Sequence, residues 1–174
     1  GDGLDDLIVG ARNDDPIDIN SGASFVVFGK TDGTAVELSD VEGGERGFVI
    51  NGVSGGDQSG VSVSSAGDVN GDGLDDLIVG AQYDDSNGRS SGASFVVFGK
   101  TDTTPVELSA VEAGIGGFVI NGVSEYDYSG ASVSAAGDVN GDGFDDLIVG
   151  AQYDDPNGDD SGASFVVFGK TDGT

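Results

Sequence analysis

The chain has 174 residues, of which 32 are Asp or Glu and only six are Lys or Arg, so its formal net charge is −26. A surface this acidic repels nucleic-acid phosphates, and the sequence has no apolar run long enough to span a bilayer, so we expect neither nucleic-acid binding nor membrane insertion. The absence of Cys and His excludes zinc sites built from those ligands, thiol nucleophiles and Ser-His-Asp catalysis.

One repeat with a period of 70 residues accounts for the whole sequence. The segment Gly-Asp-Gly-(Leu/Phe)-Asp-Asp-Leu-Ile-Val-Gly-Ala begins at Gly1, Gly71 and Gly141, and a twelve-residue block further on recurs unchanged with the same period. The chain therefore holds about two and a half copies. The predicted units are a partial first repeat over 1–59, which lacks its first strand and half of its aspartate loop, a complete repeat over 60–129 and a partial third repeat over 130–174.

Each repeat has the pattern of four short strands. Residues 60–67 alternate small apolar and polar side chains, and residues 76–81 form a continuous apolar run typical of a strand buried on both faces. Residues 93–99 are rich in β-branched and aromatic residues, and residues 117–121 form a fourth apolar run followed by a glycine turn. No segment gives a convincing amphipathic helix, although residues 105–113 come closest.

Four strands per repeat of this length indicate an all-β fold of β-propeller blades, each with four antiparallel strands. An immunoglobulin sandwich needs about seven strands per unit, and a β-helix needs a much shorter coil. Propellers close with roughly four to eight blades. The sequence thus predicts either a piece of a longer propeller or an assembly of several chains.

Two nine-residue aspartate loops, 68–76 and 138–146, have the composition of a calcium site. Calcium accepts six to eight oxygen ligands with loose geometry, whereas magnesium demands a near-octahedral shell and keeps its waters. Positions 1, 3, 5 and 9 of each loop carry carboxylate or amide oxygens, the glycine at position 6 lets the backbone curl, and position 7 offers its carbonyl. The predicted ligands are Asp68, Asn70, Asp72, Leu74 and Asp76 in one loop, and Asp138, Asn140, Asp142, Phe144 and Asp146 in the other.

The first repeat retains only part of this loop. Asp2, the carbonyl of Leu4 and Asp6 remain, while the donors at positions 1 and 3 are absent. We expect this site to bind calcium weakly or not at all, unless a neighbouring chain or upstream residues complete it.

Three other interpretations of the aspartate loop remain open. An EF-hand needs an acidic residue at position 12 on an incoming helix, but Val79 and Val149 occupy that position within apolar runs. A phosphate-binding loop needs a third glycine, and the carboxylates here would repel phosphate. The third interpretation is an ordinary Asn-Gly or Asp-Gly hairpin turn that is acidic by composition.

Aspartate pairs also follow the second strand of every copy. Such pairs can hydrolyse glycosides, but these lie in Gly-, Ser- and Asn-rich loops without a nearby His, Lys or Trp. We interpret them as solvated loop charge, with a cation contact as the alternative; they are Asp14-Asp15, Asp84-Asp85 and Asp154-Asp155. The tyrosines are predicted to pack between blades, with stacking on sugars as the alternative; they are Tyr83, Tyr126, Tyr128 and Tyr153.

The repeat resembles the FG-GAP family, which forms the blades of integrin α-subunit β-propellers and of many bacterial surface proteins. The signature of that family is Phe-Gly, then Asp-x-(Asp/Asn)-x-Asp-Gly-x-x-Asp, then Gly-Ala-Pro. In this chain Ser59-Gly60 stands in the place of Phe-Gly, the aspartate loop is intact at 68–76, and Gly80-Ala81-Gln82 replaces Gly-Ala-Pro. These departures concern packing and turn positions and leave the loop unaffected.

The resemblance implies a non-catalytic, calcium-stabilised segment with an adhesion or assembly role. Its partners would be calcium ions, further blades of a longer chain or other copies of itself, and a protein or glycan ligand. We expect a secreted or cell-surface setting, because weak, exposed oxygen sites fill where calcium is abundant. The alternative function is a propeller-type module that binds or hydrolyses glycans.

Overall fold

The structure is a computed structural model that describes residues 3–170. Within this range the backbone forms eleven strands and two one-turn helices. In chain order they are β1 (Leu7–Ala11), β2 (Ala23–Val27), α1 (Leu38–Glu42), β3 (Gly47–Asn51), β4 (Ser62–Gly67), β5 (Asp76–Ala81), β6 (Ala93–Val97), β7 (Val106–Glu107), α2 (Leu108–Glu112), β8 (Gly117–Asn121), β9 (Ser129–Gly137), β10 (Asp146–Ala151) and β11 (Ala163–Val167).

The strands form three sheets, one for each repeat. The first has the order β1-β2-β3-β7, the second β4-β5-β6-β8 and the third β11-β10-β9. Neighbouring strands within a repeat pair antiparallel in all three sheets. The second sheet is a blade of four antiparallel strands, which confirms the predicted all-β propeller architecture. The residue boundaries predicted for the three units stay a prediction.

Two strands differ at their ends from the sequence prediction, and each difference has a local cause. The first strand of the second repeat begins at Ser62 rather than at residue 60, because Gly60 has a φ of +86° and lies against the first sheet. The third strand of the second repeat, β6, ends at Val97 rather than at residue 99. The N–H of Gly99 donates instead to the carboxylate of Asp76, 2.7 Å away.

A parallel pairing joins the first two repeats. Strand β7 belongs to the second repeat but pairs with β3, in the register Ile50 to Val106 and Asn51 to Glu107. The Nδ2 of Asn51 donates a hydrogen bond to the Oε1 of Glu107 at 2.8 Å. The outer edge of the first sheet is therefore covered by a segment of the next repeat.

Two hydrophobic cores lie between the sheets, and a third, smaller one lies between α1 and the first sheet. One core joins side chains of the first and second sheets, including Phe48, Ile50 and Phe95. A second core joins the second and third sheets, including Ile78 and Leu147. Strand β5 contributes to both cores, as its continuous apolar run predicts for a strand buried on both faces.

Two one-turn helices occur beside the strands, and the second lies within residues 105–113, the segment that came closest to a helical pattern. Helices α1 and α2 each span five residues and bury Val41 in the first case and Leu108 and Val111 in the second. A helix of one turn is too short for a hydrophobic period of 3.6 residues to become visible in the sequence. Burial of one or two side chains, rather than periodicity, accounts for these turns.

Candidate metal centre

The second-repeat loop, residues 68–76, closes around the carboxylate of its first residue. The Oδ1 of Asp68 accepts hydrogen bonds from the N–H groups of Gly71 at 2.7 Å and Asp72 at 3.0 Å. Its Oδ2 accepts one from the N–H of Gly73 at 2.9 Å. Gly71 and Gly73 have φ values of +77° and +86°, a region that glycine enters at little cost and that lets consecutive N–H groups point inward.

The middle of this loop is held by the side chains at positions 3 and 5. The N–H of Asp72 donates to the Oδ1 of Asn70 at 2.8 Å, and the N–H of Leu74 donates to the Oδ1 of Asp72 at 2.9 Å. The Nδ2 of Asn70 also donates to the Oδ2 of Asp72 at 3.0 Å. Every side chain predicted to supply an oxygen from positions 1 to 5 is thus turned toward the backbone of its own loop.

Asp76, at position 9, is fully buried. Its carboxylate accepts hydrogen bonds from the N–H groups of Val69 at 3.0 Å and Gly99 at 2.7 Å. Burial, with a smaller contribution from the negative charges of Asp72 and Asp68, raises the pKa of Asp76 to about 6, although these two hydrogen bonds act to lower it. The loop therefore holds a buried carboxylate within the electrostatic influence of two others, an arrangement that a bound cation would stabilise.

The third-repeat loop, residues 138–146, repeats this arrangement bond for bond. The carboxylate of Asp138 accepts hydrogen bonds from three N–H groups at 2.6, 3.1 and 2.9 Å. The Nδ2 of Asn140 donates to the Oδ2 of Asp142 at 2.7 Å, and the N–H of Phe144 donates to the Oδ1 of Asp142 at 3.0 Å. Asp146 is fully buried and accepts hydrogen bonds from two backbone N–H groups at 2.9 Å.

The first repeat keeps one element of this site. The N–H of Gly29 donates to the Oδ1 of Asp6 at 2.9 Å, which is the counterpart of the bond between Gly99 and Asp76. Leu4 lies at the surface, with 38% of its side chain exposed. Asp2 lies outside the described residues, so the prediction for this partial site is not resolved further.

No group of three or more acidic side chains between residues 3 and 170 is arranged to hold a metal ion. In both loops the carboxylate oxygens accept hydrogen bonds from the loop, and the Oδ1 atoms of Asp68 and Asp138 each accept two. The amide of Asn70 presents its nitrogen to Asp72, so calcium binding would require this amide to turn its oxygen inward. The donor set suits calcium in its chemistry, and the ligand assignment stays a prediction.

The structure argues against the EF-hand interpretation. Val79, at position 12 of the second-repeat loop, is fully buried within strand β5. It therefore offers neither an acidic oxygen nor the incoming helix that carries the last ligand of an EF-hand.

The two aspartate loops are in contact, which the sequence did not predict. The N–H of Asp68 donates to the Oδ2 of Asp145 at 2.9 Å, and the N–H of Asp145 donates to the carbonyl of Asp68 at 3.2 Å. The ring of Phe144 lies close to Gly71, where an added Cβ would stand 2.5 Å from the ring. Asp145 is the first residue of the Asp-Asp pair that recurs in every copy of the repeated motif. This recurrence is the only sign in the sequence that the residue has a structural role.

The aspartate pair after β5 is not uniformly solvated. Asp84 is only 3% exposed, so the interpretation as solvated loop charge was wrong for this residue. Asp57, which the sequence analysis did not single out, is 7% exposed, and burial together with the charge of Asp84 raises its pKa to about 7. Asp57 lies in the first repeat and Asp84 in the second, so the interaction of these two charges depends on how the repeats meet and leaves no local pattern in the sequence.

The tyrosines at this end of the sheets form a row. Tyr83 and Tyr128 meet edge to face with their ring centroids 5.4 Å apart, and Tyr128 meets Tyr153 in the same way at 5.3 Å. The second of these contacts joins the second and third repeats, which is the packing role that we predicted. Tyr126 is 47% exposed.

Comparison with known proteins agrees with this repeat architecture. A family model described as "FG-GAP repeat" matches residues 59–97 and 129–167. The chain contains FG-GAP repeats. Each match begins at the Ser-Gly turn and ends at the third strand of a blade, so it includes the whole aspartate loop.

The relatives of these FG-GAP repeats include integrin α subunits. The chain is 28% identical over 99% of its length to integrin alpha pat-2 of Caenorhabditis elegans, 31% over 89% to integrin alpha-PS2 of Drosophila melanogaster, and 30% over 61% to integrin alpha-6 of Homo sapiens. It spans only 13%, 11% and 8% of the lengths of these relatives. None of the helices within residues 3–170 has the length and apolar character needed to cross a membrane.

Proposed function

We propose that the chain is a non-catalytic, calcium-stabilised propeller segment of a secreted or cell-surface protein, with a role in adhesion or assembly. The observation that carries this proposal is the identical closure of the second-repeat and third-repeat loops, each with carboxylates at positions 1, 5 and 9 and an amide at position 3. A fold that only needed a hairpin turn would not require three carboxylates, since their mutual repulsion opposes the turn.

One calcium ion in each loop would be held by the side chains at positions 1, 3, 5 and 9 and by the carbonyl at position 7. Its positive charge would offset the repulsion among the carboxylates. Each aspartate loop connects the first two strands of its blade. Position 1 directly follows β4 or β9, and position 9 is the first residue of β5 or β10. Calcium in this position would stabilise that hairpin and would take no part in a reaction.

The experiment compares thermal unfolding of the protein in excess calcium and in EDTA. A site filled at about 100 times its dissociation constant contributes about 2.7 kcal/mol, and each kcal/mol shifts the Tm of a chain this long by roughly 2–4 °C. We therefore expect EDTA to lower the Tm by several degrees. The double substitution Asp72→Asn and Asp142→Asn should abolish most of the response, because it removes a charge from each loop and keeps the side-chain shape.

The matched control carries Asp85→Asn and Asp155→Asn, which remove two exposed loop charges at the opposite ends of the same strands. This variant should respond to EDTA as the wild type does. An unchanged Tm on calcium removal, or an equal loss of response in the control, would show that calcium in the aspartate loops does not stabilise the protein.

The extracellular setting, the adhesion role and the lack of catalysis are supported by the integrin α relatives and by the calcium chemistry of the loops. The alternative of a glycan-binding or glycan-hydrolysing module gains no comparable support. The rings of Tyr83, Tyr128 and Tyr153 pack on one another, which occupies part of the aromatic surface that a sugar would need. Loss of glycan hydrolysis on Asp154→Asn would favour the alternative.

A further inference from the structure

Each aspartate loop contains an Asn-Gly pair at its positions 3 and 4. In such a pair the backbone nitrogen of the glycine can attack the side-chain carbonyl of the asparagine, because glycine has no side chain to obstruct the approach. Whether the attack takes place depends on the groups that contact the glycine N–H and the asparagine amide. The sequence has six of these pairs, which are Asn51-Gly52, Asn70-Gly71, Asn87-Gly88, Asn121-Gly122, Asn140-Gly141 and Asn157-Gly158.

In the four pairs outside the aspartate loops, the glycine N–H donates to a backbone carbonyl. The distances are 2.9 Å from Gly52 to Gly22, 3.1 Å from Gly88 to Asp85, 2.8 Å from Gly122 to Gly92 and 3.5 Å from Gly158 to Asp155. A neutral carbonyl does not take up the proton of an amide, so the glycine nitrogen in these pairs stays a poor nucleophile.

In the loop 68–76 the glycine N–H faces a carboxylate instead. The N–H of Gly71 donates to the Oδ1 of Asp68 at 2.7 Å. This distance lies within the range at which a side chain can act as a general base. Asp68 is therefore placed to accept the proton that the nitrogen of Gly71 must lose when it attacks.

The amide of Asn70 is held at both of its polar atoms. Its Oδ1 accepts a hydrogen bond from the N–H of Asp72 at 2.8 Å, and its Nδ2 donates to the Oδ2 of Asp72 at 3.0 Å. Attack on the Cγ of Asn70 puts negative charge on its Oδ1. A backbone N–H that already points at such an oxygen stabilises the charge as it develops.

The loop 138–146 has the same three contacts. The N–H of Gly141 donates to the Oδ1 of Asp138 at 2.6 Å, and the N–H of Asp142 donates to the Oδ1 of Asn140 at 2.8 Å. The Nδ2 of Asn140 donates to the Oδ2 of Asp142 at 2.7 Å. All six Asn-Gly pairs lie within residues 3–170, and only the two in the aspartate loops combine a carboxylate on the glycine N–H with a backbone donor on the asparagine oxygen.

We propose that Asn70 and Asn140 are sites of intramolecular deamidation that their own loops promote. The nitrogen of Gly71 forms a bond to the Cγ of Asn70 while Asp68 accepts its proton. The bond from this Cγ to Nδ2 then breaks, and Nδ2 leaves as ammonia with the proton that Asp68 had accepted. One water molecule from the solvent opens the resulting five-membered imide, which leaves either an aspartate or an isoaspartate at position 3. No oxidant or reductant takes part.

The two products change the loop in different ways. The aspartate product adds a fourth carboxylate at position 3, where the FG-GAP signature has either Asp or Asn. The isoaspartate product carries the chain through the side-chain carbon, which lengthens the backbone and changes the spacing of the oxygen donors. The effect on calcium binding rests on the proposed function, whereas the deamidation itself does not.

The test incubates the 174-residue protein in EDTA and follows the conversion of amide to carboxyl at each of the six pairs by proteolysis and tandem mass spectrometry. We expect Asn70 and Asn140 to react at least about tenfold faster than the other four asparagines. This factor is below the usual contribution of a general base, because a carboxylate is a weak base. In urea the six rates should converge, since the contacts within the loops are lost.

The matched control is Asp68→Asn, whose side-chain oxygen still accepts a hydrogen bond from Gly71 but does not take up its proton. This variant should slow the reaction of Asn70 to the rate of the pairs outside the loops. Asn140 has its own base in Asp138, so its rate should stay unchanged in the same molecules, which also reports an intact third-repeat loop. Asp138→Asn should give the reverse result.

The proposal is overturned if Asn70 and Asn140 react no faster than the other four asparagines, or no faster in the folded protein than in urea. An unchanged or faster reaction of Asn70 in Asp68→Asn would also overturn it, because the hydrogen bond to Asp68 would then protect the pair. All of these rates are measured without calcium. Failure of the proposal would therefore leave the thermal-unfolding experiment unaffected, and an absent calcium response would leave these rates unaffected.

Discussion

The buried carboxylate of Asp57 predicts an unusual pH dependence of stability. Burial raises the pKa of Asp57 from its usual 3.8 to about 7, with Asp84, Asp85 and Glu112 adding repulsion and the N–H of Ser54 opposing it through a hydrogen bond. The unfolded chain loses this proton near pH 3.8, whereas the folded protein holds it until about pH 7. The contribution of Asp57 to stability is therefore fully present below pH 3.8 and is lost as the pH rises to about 7.

The substitution Asp57→Asn isolates this contribution, because it keeps the acceptor oxygen and removes the charge. The pKa of Asp57 rises by roughly three units, and each unit corresponds to about 1.4 kcal/mol, so the full effect is about 4 kcal/mol. Relaxation and water entry around an ionised Asp57 reduce this amount. We expect the variant to be more stable than the wild type by at least about 1 kcal/mol at pH 8 and nearly equal to it at pH 4.

Urea unfolding of both proteins at pH 4, 5, 6, 7 and 8, in constant calcium, measures this difference directly. Titration of the aspartate loops is common to both proteins and cancels in the comparison. A free-energy difference that stays constant with pH, or an Asn variant that is less stable at pH 8, would refute the assignment of a raised pKa to Asp57.

Two further substitutions test the contacts between repeats. Gly80→Ala places a methyl group 2.1 Å from the carbonyl oxygen of Gly130, so we expect the free energy of unfolding to fall by an amount near the upper end of about 1–3 kcal/mol. Gly150→Ala should lower it far less, because its added methyl group would meet only the flexible side chain of Ser132. Thermal unfolding measures both losses, and equal losses would contradict the packing argument. Asp145→Ala removes the carboxylate that accepts a hydrogen bond from the N–H of Asp68, so calorimetry should show about tenfold weaker calcium binding in the loop 68–76. Asp75→Ala is the control. A similar loss of affinity in that variant would mean that the effect comes from the change in net charge.

The strands of the blade could be predicted from the sequence because burial and alternation leave local signals. The apolar run 76–81 lies between two sheets and has no polar side to interrupt it, so its pattern is unambiguous. Strand β7 could not be predicted, because a two-residue pairing with another repeat leaves no periodic signal. Helix α1 left no signal because a single turn is too short to show a helical period, whereas α2 lies within residues 105–113, which came closest to one.

The turn formed by each aspartate loop could be predicted from its residues but its connections could not, and calcium ligation stays a prediction. The spacing of oxygen donors and glycines in the loop 68–76 specifies a turn that closes on itself, and the structure contains that turn twice. The link from Asp145 to Asp68 and the burial of Asp57 against Asp84 both depend on how two repeats meet. Such contacts follow from the angle and separation of whole blades, which a single repeat does not encode.

Because β7 of the second repeat pairs with β3 of the first, the sheet of the first blade is completed only by residues of the next repeat. An exposed sheet edge invites pairing with the edge of another molecule and is a common origin of aggregation. Here the segment Val106–Glu107 occupies the edge at Ile50 and Asn51. Shortening a chain of such repeats at a repeat boundary would strip this protection from the last remaining blade, so truncation should leave a repeat array prone to aggregation rather than merely less stable.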